Sequence, residues 1–260
     1  MLTTTGLSAA LGGKPVLRDI GFAARPGQVT AIVGPNGSGK TTLLRALTGD
    51  LRYAGSAVLN GVEVAGAKPV ALAAIRAVLS QSTQLAFPFT VLEVVRLGLL
   101  SGVQTAAHAA NLPQQALSEV GLDGYAGRNF QELSGGEQAR VHLARVLVQV
   151  WHPVGPAGPR WLFLDEPVAS LDIGHQLQVM RLARRFADAG GGVVAVMHDL
   201  NLTAMFAAHV ALLSQGRLAA QGRPEDVLTD ARLSAAYGCR LRVNTAPVQG
   251  QWILPQAAMA

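Results

Sequence analysis

GPNGSGKTT, residues 34–42, is the stretch whose reading decides the fold. Gly34, Pro35, Asn36, Gly37, Ser38, Gly39, Lys40 and Thr41 satisfy G-x-x-x-x-G-K-[ST] in full, and Thr42 follows. Glycines at these spacings let successive backbone N–H groups turn inward as a nest for an anion. A helix after the loop adds the positive end of its dipole. Lys40 has the reach to meet β- and γ-phosphates, and the Thr41 hydroxyl suits Mg²⁺. At average residue frequencies the pattern arises by chance in roughly one such chain in a hundred. Context strengthens it: Gln28 to Val33 is a short β-rich run before the loop, and LLRALTG after it reads as a helix closed by Gly49.

A phosphate loop of this kind needs a carboxylate for the metal. The apolar run Trp161-Leu162-Phe163-Leu164 reads as a buried strand that delivers Asp165 and Glu166 at its C-terminal end. Asp165 is the candidate to hold the metal through water, and Glu166 the candidate to polarise an attacking water. Two adjacent acids at a strand end are by themselves a solvated turn; the phosphate loop makes them a site. A second helix start is LSGGEQ, formed by Leu133, Ser134, Gly135, Gly136, Glu137 and Gln138. Ser134 and Glu137 have the spacing of a capping box. Two glycines in the first turn weaken a helix, which a cap alone does not explain and a second anion-binding loop does.

Working outward, VLRDIGF (16–22) alternates loosely before a Pro26-Gly27 turn, and Asn60-Gly61 signals a hairpin. AVLSQ reads as a short strand ending at Gln81. From about 87 to 150, TVLEVVRLGLL, LPQQALSEVG and GGEQARVHLARVLVQV carry helical spacing, so this part reads as a helical insertion. VGPAGPR is a Pro/Gly loop, GHQLQVMRLARRFADAGGG a helix with a glycine stop, and VVAVMH a buried strand. HVALLSQGRLAAQG reads as a hairpin, with small elements after it. Strands alternating with helices predict an α/β fold on a mostly parallel sheet.

Composition removes several function classes. Of 260 residues, 50% are hydrophobic and 14% charged, which describes a well-cored globular chain. No apolar run reaches the roughly 18 residues a spanning helix needs, and MLTTTGLSAALGGKPVLRD lacks the layout of a signal peptide. A cytosolic location with any membrane role peripheral is expected. The single cysteine, Cys239, excludes an internal disulfide and a cysteine-based metal cluster. A net charge of +5 permits a nucleic-acid or anionic-membrane partner, but the arginines are scattered and aromatics are only 5%, so no nucleic-acid partner is expected.

Over nearly its whole length the chain resembles the nucleotide-binding subunits of ABC transporters. Gly34 to Thr42 matches the Walker A loop, Gln81 the Q-loop glutamine and Leu133 to Gln138 the signature. Leu162 to Glu166 matches Walker B, Ser170, Leu171 and Asp172 the D-loop, and His198 the switch histidine. The resemblance implies a P-loop NTPase (RecA-like) core with an N-terminal antiparallel β subdomain and an inserted helical signature subdomain. The implied division is 1–86 and 159–225 for the core, 87–158 for the helical part and 226–260 for a C-terminal extension. It implies ATP and Mg²⁺ as ligands, with Glu166 the general base, His198 at the γ-phosphate, and Thr41, Gln81 and Asp165 around the metal. It also implies a head-to-tail dimer in which the signature of one copy closes on the ATP of the other.

Within that family the chain is most similar to importer subunits for iron-siderophore complexes, cobalamin and haem. The likeness lies in QSTQLAFPFTVLEVVRLG and HDLNLTAMFAAHVALLSQGRLAAQGRPEDVLT, and the loop WHPVGPAGPRWLFLDEP points to the haem branch. This implies a transmembrane permease dimer, received by a groove at LAFPF (85–89), and a periplasmic substrate-binding protein acting through it. The expected location is the cytoplasmic side of the bacterial inner membrane. Soluble ABC ATPases acting on DNA or ribosomes carry long coiled-coil insertions or two ATPase domains, and neither is present here. Where the family places an adenine-stacking aromatic residue, this chain has Leu11, which offers no π face.

Overall fold

Successive residues of four short strands enter different cores. Trp161 and Phe163 lie in one apolar cluster, while Leu162 and Leu164 lie in another. Val194 and Val196 are likewise separated from Val193 and Ala195. Both faces of these strands are therefore covered, which is why their sequences read as continuous apolar runs without alternation.

The computed structural model describes residues 1–81, 87–101 and 110–257. Its first elements are β1 (Leu2–Leu11), β2 (Lys14–Ile20), β3 (Ala23–Ala24), β4 (Val29–Val33) and α1 (Lys40–Thr48). Next come β5 (Ala54–Leu59), β6 (Val62–Glu63), α2 (Pro69–Ile75), β7 (Arg76–Leu79) and α3 (Val91–Arg96), which runs into a 3₁₀ turn. Then follow α4 (Leu112–Glu119), α5 (Gly135–Gln149), β8 (Val154–Gly155), β9 (Gly158–Pro159) and β10 (Trp161–Asp165). The chain continues through α6 (Ile173–Asp188), β11 (Gly192–Val196), α7 (Leu200–Phe206), β12 (His209–Ser214), β13 (Arg217–Gly222), α8 (Pro224–Val227) and α9 (Asp230–Tyr237).

The central sheet has the order β13-β12-β4-β11-β10-β7 and is parallel except for β13, which is antiparallel to β12. β4, β10 and β11 end together, so Gly34, Glu166 and Met197 leave the sheet at one edge. Loops at the carboxyl ends of such strands are where open α/β sheets bind ligands. A second, antiparallel sheet (β2-β1-β5-β6, with β3 on β1) packs through Leu2, Leu7, Leu17 and Ile20 onto α1 and the Trp161 face of the central sheet. α3, α4 and α5 form the helical part and pack on one another through Val94, Val95, Leu117, Val141 and Leu143.

Three expectations are corrected. VGPAGPR is not a plain loop: β8 and β9 pair as a small antiparallel hairpin, and Asn60 Nδ2 donates to the Pro159 carbonyl at 2.7 Å. The strand expected to end at Gln81 ends at Leu79, leaving Gln81 free of the ladder. Residues 2–11, to which the sequence pattern assigned no strand, form the ten-residue strand β1. Its burial runs through Leu2 and Thr4, then through Leu7 and Ala9, because a register shift at Gly6 breaks the period of two. That break hides the strand from pattern reading.

Candidate functional site

The loop after β4 is made from positions without room for side chains. A Cβ on Gly34 would stand 2.1 Å from the Leu213 carbonyl oxygen. α1 begins at Lys40 with Gly39 at its N-cap and no side chain capping it, so its first N–H groups stay open to an anion. Lys40 Nζ donates to the carbonyls of Gly34 (2.9 Å) and Pro35 (3.1 Å), which holds the ammonium across the loop. Burial pushes the Lys40 ammonium down from its ordinary range, opposed by the nearby Glu166 and Asp165 carboxylates. Ser38 is buried, and its hydroxyl has no hydrogen-bond partner among the described residues.

Asp165, at the last position of β10, is only 5% exposed. Burial raises its carboxyl, and the Thr41 hydroxyl, donating at 3.1 Å to Oδ1, partly restores the charged form. A desolvated carboxylate next to a threonine hydroxyl, with an unpartnered serine hydroxyl in the adjoining loop, is an oxygen set suited to Mg²⁺. These groups fit the ion. A cavity of roughly 420 Å³ beside them is lined by Thr41, Asp165, Gln81, Ser80, Arg45 and Asp50.

Glu166 is the meeting point of three segments. Its φ is 52°, a left-handed conformation that a non-glycine residue rarely adopts and that recurs at functional sites. Gln81 Nε2 donates to Glu166 Oε2 at 2.8 Å, and His198 Nε2 lies 2.5 Å from Oε1. Each carboxylate oxygen is thus directed by one side chain. His198 follows β11, and the next residue, Asp199, caps α7 by accepting from Asn201 N (2.7 Å) and Leu202 N (3.0 Å). The cap fixes the turn that presents the imidazole.

The signature forms the expected capping box. Glu137 Oε2 accepts from Ser134 N (2.8 Å) and Ser134 Oγ (2.7 Å), and Glu137 Oε1 accepts from Tyr125 Oη at 2.9 Å. These donors, the Ser134 hydroxyl first, hold the Glu137 carboxyl at about 2. Gln138 Nε2 reaches the carbonyls of Phe130 and Leu133, both at 3.2 Å. The D-loop lies alongside: Asp172 caps α6 by accepting from His175 N at 3.0 Å, and Gln176 Nε2 donates to Leu171 O at 3.0 Å. Among the described residues no hydrogen bond joins the signature to the 34–42 loop. Tyr125 and Gln176, which hold these two segments, escaped the sequence reading because they belong to no local pattern with the groups they bind.

The two signature glycines have different surroundings. A Cβ on Gly136 would stand 3.1 Å from the Ser170 carbonyl oxygen and 3.4 Å from Leu171 Cδ2, whereas one on Gly135 meets nothing within 4 Å. Gly136 therefore lets the signature lie against its own D-loop, a packing reason the sequence did not disclose. Gly135→Ala is expected to leave stability unchanged or raise it by up to about 1 kcal/mol, through helix propensity. Gly136→Ala is expected to cost about 1–2 kcal/mol by overpacking. Urea unfolding of both variants checks this, and equal effects would sink it.

Leu11 closes the hairpin between β1 and β2 opposite Lys14 and is 40% exposed. Of the expected permease groove, residues 85 and 86 lie outside the described residues, while Phe87 is exposed and packs edge-on against Phe89 at 6.4 Å. No helix among the described residues is long and apolar enough to cross a membrane.

The parallel sheet with its glycine loop and the Glu166 junction defines a class, and comparison with known proteins agrees. The ABC transporter family pattern matches residues 17–169, and the chain belongs to that family. In particular, it is 62% identical over 259 residues to the hemin import ATP-binding protein HmuV of Jannaschia sp. (strain CCS1), covering 99% of this chain and 95% of that one. It is also 62% identical over 258 residues to HmuV of Roseobacter denitrificans, covering 99% and 98%. A solved structure described as the ATP binding subunit of an ABC transporter superposes with a TM-score of 0.78 at 22% identity, covering 92% of this chain and 95% of that one. That last likeness concerns the fold.

Proposed function

We propose that this chain is the ATP-hydrolysing motor of a bacterial haem importer, working as a head-to-tail pair on the cytoplasmic side of the inner membrane. The observation that carries the motor reading is the junction of Gln81, Glu166 and His198 one residue past the Thr41–Asp165 pair. The haem assignment is supported by the full-length likeness to hemin import subunits.

The chemistry follows from the groups in place. The loop N–H groups from Gly34 to Thr42 and the Lys40 ammonium take the phosphates of ATP and offset their charge. Thr41, Asp165 and Gln81 would hold Mg²⁺, which would supply charge neutralisation to the phosphates. Glu166 accepts a proton from the attacking water, with His198 and Gln81 fixing the direction of its oxygens. His198 is exposed, so it is free to meet the γ-phosphate as it leaves. Gly135 and the start of α5 make no hydrogen bond to their own phosphate loop among the described residues and serve the ATP of a second copy, which makes the dimer a requirement of catalysis. The reading divides the chain into a core (1–86 and 159–225), a helical subdomain (87–158) and a C-terminal extension (226–260). The permease dimer docks between core and helices near Phe87, and a periplasmic binding protein delivers the substrate to it.

The test is uptake in the native host carrying Glu166→Gln, with haem, a ferric siderophore and cobalamin followed in parallel. Loss of haem uptake alone supports both halves of the proposal. Loss of another substrate keeps the motor and moves the label. Continued uptake of all three, with the variant stably present and no backup transporter, overturns the importer reading in favour of a soluble role.

Leu11 bears on base recognition. An aromatic ring stacked on a base adds about 0.5–1.5 kcal/mol, so Leu11→Tyr is expected to tighten ATP binding by about two- to tenfold and to widen the preference for ATP over GTP. Titration of both nucleotides checks this. Affinities unchanged by the substitution would mean that Leu11 does not meet the base.

A further inference from the structure

A phosphate loop that turns its N–H groups inward turns carbonyls outward, and those carbonyls need donors from the protein behind them. Behind the Ser38 carbonyl stands the turn between β12 and β13. Gly216 N–H donates to Ser38 O at 3.2 Å, and Gly216 O accepts from Arg18 N–H on β2 at 2.8 Å. The turn thus ties the loop to the strand that flanks it. That strand also presses on the loop directly, since a Cβ on Gly39 would stand 2.8 Å from Leu17 Cδ2. Position 216 tolerates nothing larger than glycine. Its φ is +74°, and a Cβ there would fall 2.2 Å from the Val16 carbonyl oxygen, a backbone atom that cannot rotate away.

We propose that Gly216 is a positioning residue for the nucleotide: its bare backbone, hydrogen-bonded to Ser38 and Arg18, holds the phosphate loop in its binding shape. This rests on the reading of residues 34–42 as the nucleotide site. Gly216 touches no phosphate itself. It acts through the Ser38 carbonyl, and the sequence presents it only as an ordinary hairpin glycine in SQGRL.

A matched control exists in the same chain. Gly61 occupies the equivalent place in the β5–β6 turn with φ +83°, yet a Cβ there meets nothing within 4 Å. Gly61→Ala therefore reports backbone strain alone, while Gly216→Ala reports strain together with displacement of the turn from the loop. Arg18→Pro is a gentler probe. β2 is the edge strand of its sheet, and the Arg18 N–H points to Gly216, away from β1, so proline there removes one donor and leaves the ladder intact.

The experiment is calorimetric titration of the full-length chain with Mg-ADP. Gly216→Ala is expected to bind about tenfold more weakly than the unaltered protein, and Gly61→Ala within about twofold of it. Arg18→Pro is expected to weaken binding about threefold and to add nothing when combined with Gly216→Ala, because both act on one linkage. Equal weakening in Gly61→Ala and Gly216→Ala overturns the proposal, as does near-normal binding by folded Gly216→Ala. Should Gly216→Ala fail to fold, Arg18→Pro decides, and unchanged binding there overturns it. Lys40→Ala separates the two levels: if it also binds normally, the reading of the loop itself has failed.

Discussion

Glu166→Gln is expected to abolish ATP turnover while leaving Mg-ATP binding near its original strength. The substitution keeps the side chain's shape and removes its ability to take a proton, which general-base catalysis values at about 10²–10⁴ in rate. Binding should survive because the groups proposed to face phosphate are elsewhere: Lys40 is held by Gly34 and Pro35, and Thr41 by Asp165. The neighbours are also suited to an amide. His198 Nε2 and Gln81 Nε2 each address one oxygen of the carboxylate, and one of those two contacts persists whichever way the new amide turns. Phosphate-release kinetics and nucleotide titration on the same preparation check the expectation. A turnover number within tenfold of the original would mean that another group accepts the proton. A parallel loss of binding would mean that Glu166 instead shapes the loop.

Trp161→Ala is expected to cost about 3–5 kcal/mol of stability, the range for removing a large buried aromatic side chain. Trp161 is fully buried between the two sheets and stacks on Phe163 with ring centroids 6.3 Å apart. Its indole N–H donates to Asn60 Oδ1 at 3.1 Å, and the same asparagine binds the Pro159 carbonyl. Packing is tight enough that a Cβ on Gly192 would stand 2.3 Å from the indole. The loss therefore combines a cavity with the loss of the shorter of two hydrogen bonds to Asn60 Oδ1, which keeps only the Met1 amino group at 3.4 Å. Trp161→Phe isolates the second part and should cost less than Trp161→Ala. Denaturant unfolding at equilibrium measures both, and a cost below about 1 kcal/mol for the alanine variant would show that the sheets do not depend on this contact.

Much of the candidate site is legible in the sequence. The loop 34–42, the Asp165–Glu166 pair and the signature are each continuous in sequence. Their chemistry depends on neighbours within four residues: a strand before, a helix after, or a cap three positions on. The hairpins at Asn60-Gly61 and Gln215-Gly216 were legible for the same reason, because a tight turn is a local event. The strand β1 was not, since its register shift at Gly6 erases the alternation by which a half-buried strand is recognised. The β8–β9 hairpin was not, because strands of two residues carry no period at all.

The sequence by itself determined the class of fold and singled out the candidate residues for the chemistry, because both depend on local backbone form and on apolar runs long enough to be buried. Only the tertiary structure decided what those residues do to one another. Gln81, Glu166 and His198 are separated by 85 and 32 positions, and their convergence follows from the parallel order β7, β10, β11, which no local pattern encodes. The reasons for Gly136 and Gly216 are of the same kind: each is set by a backbone carbonyl from a distant segment that leaves no space for a Cβ. Steric exclusion between remote segments is a property of the packed chain, and it exists only once the chain has folded.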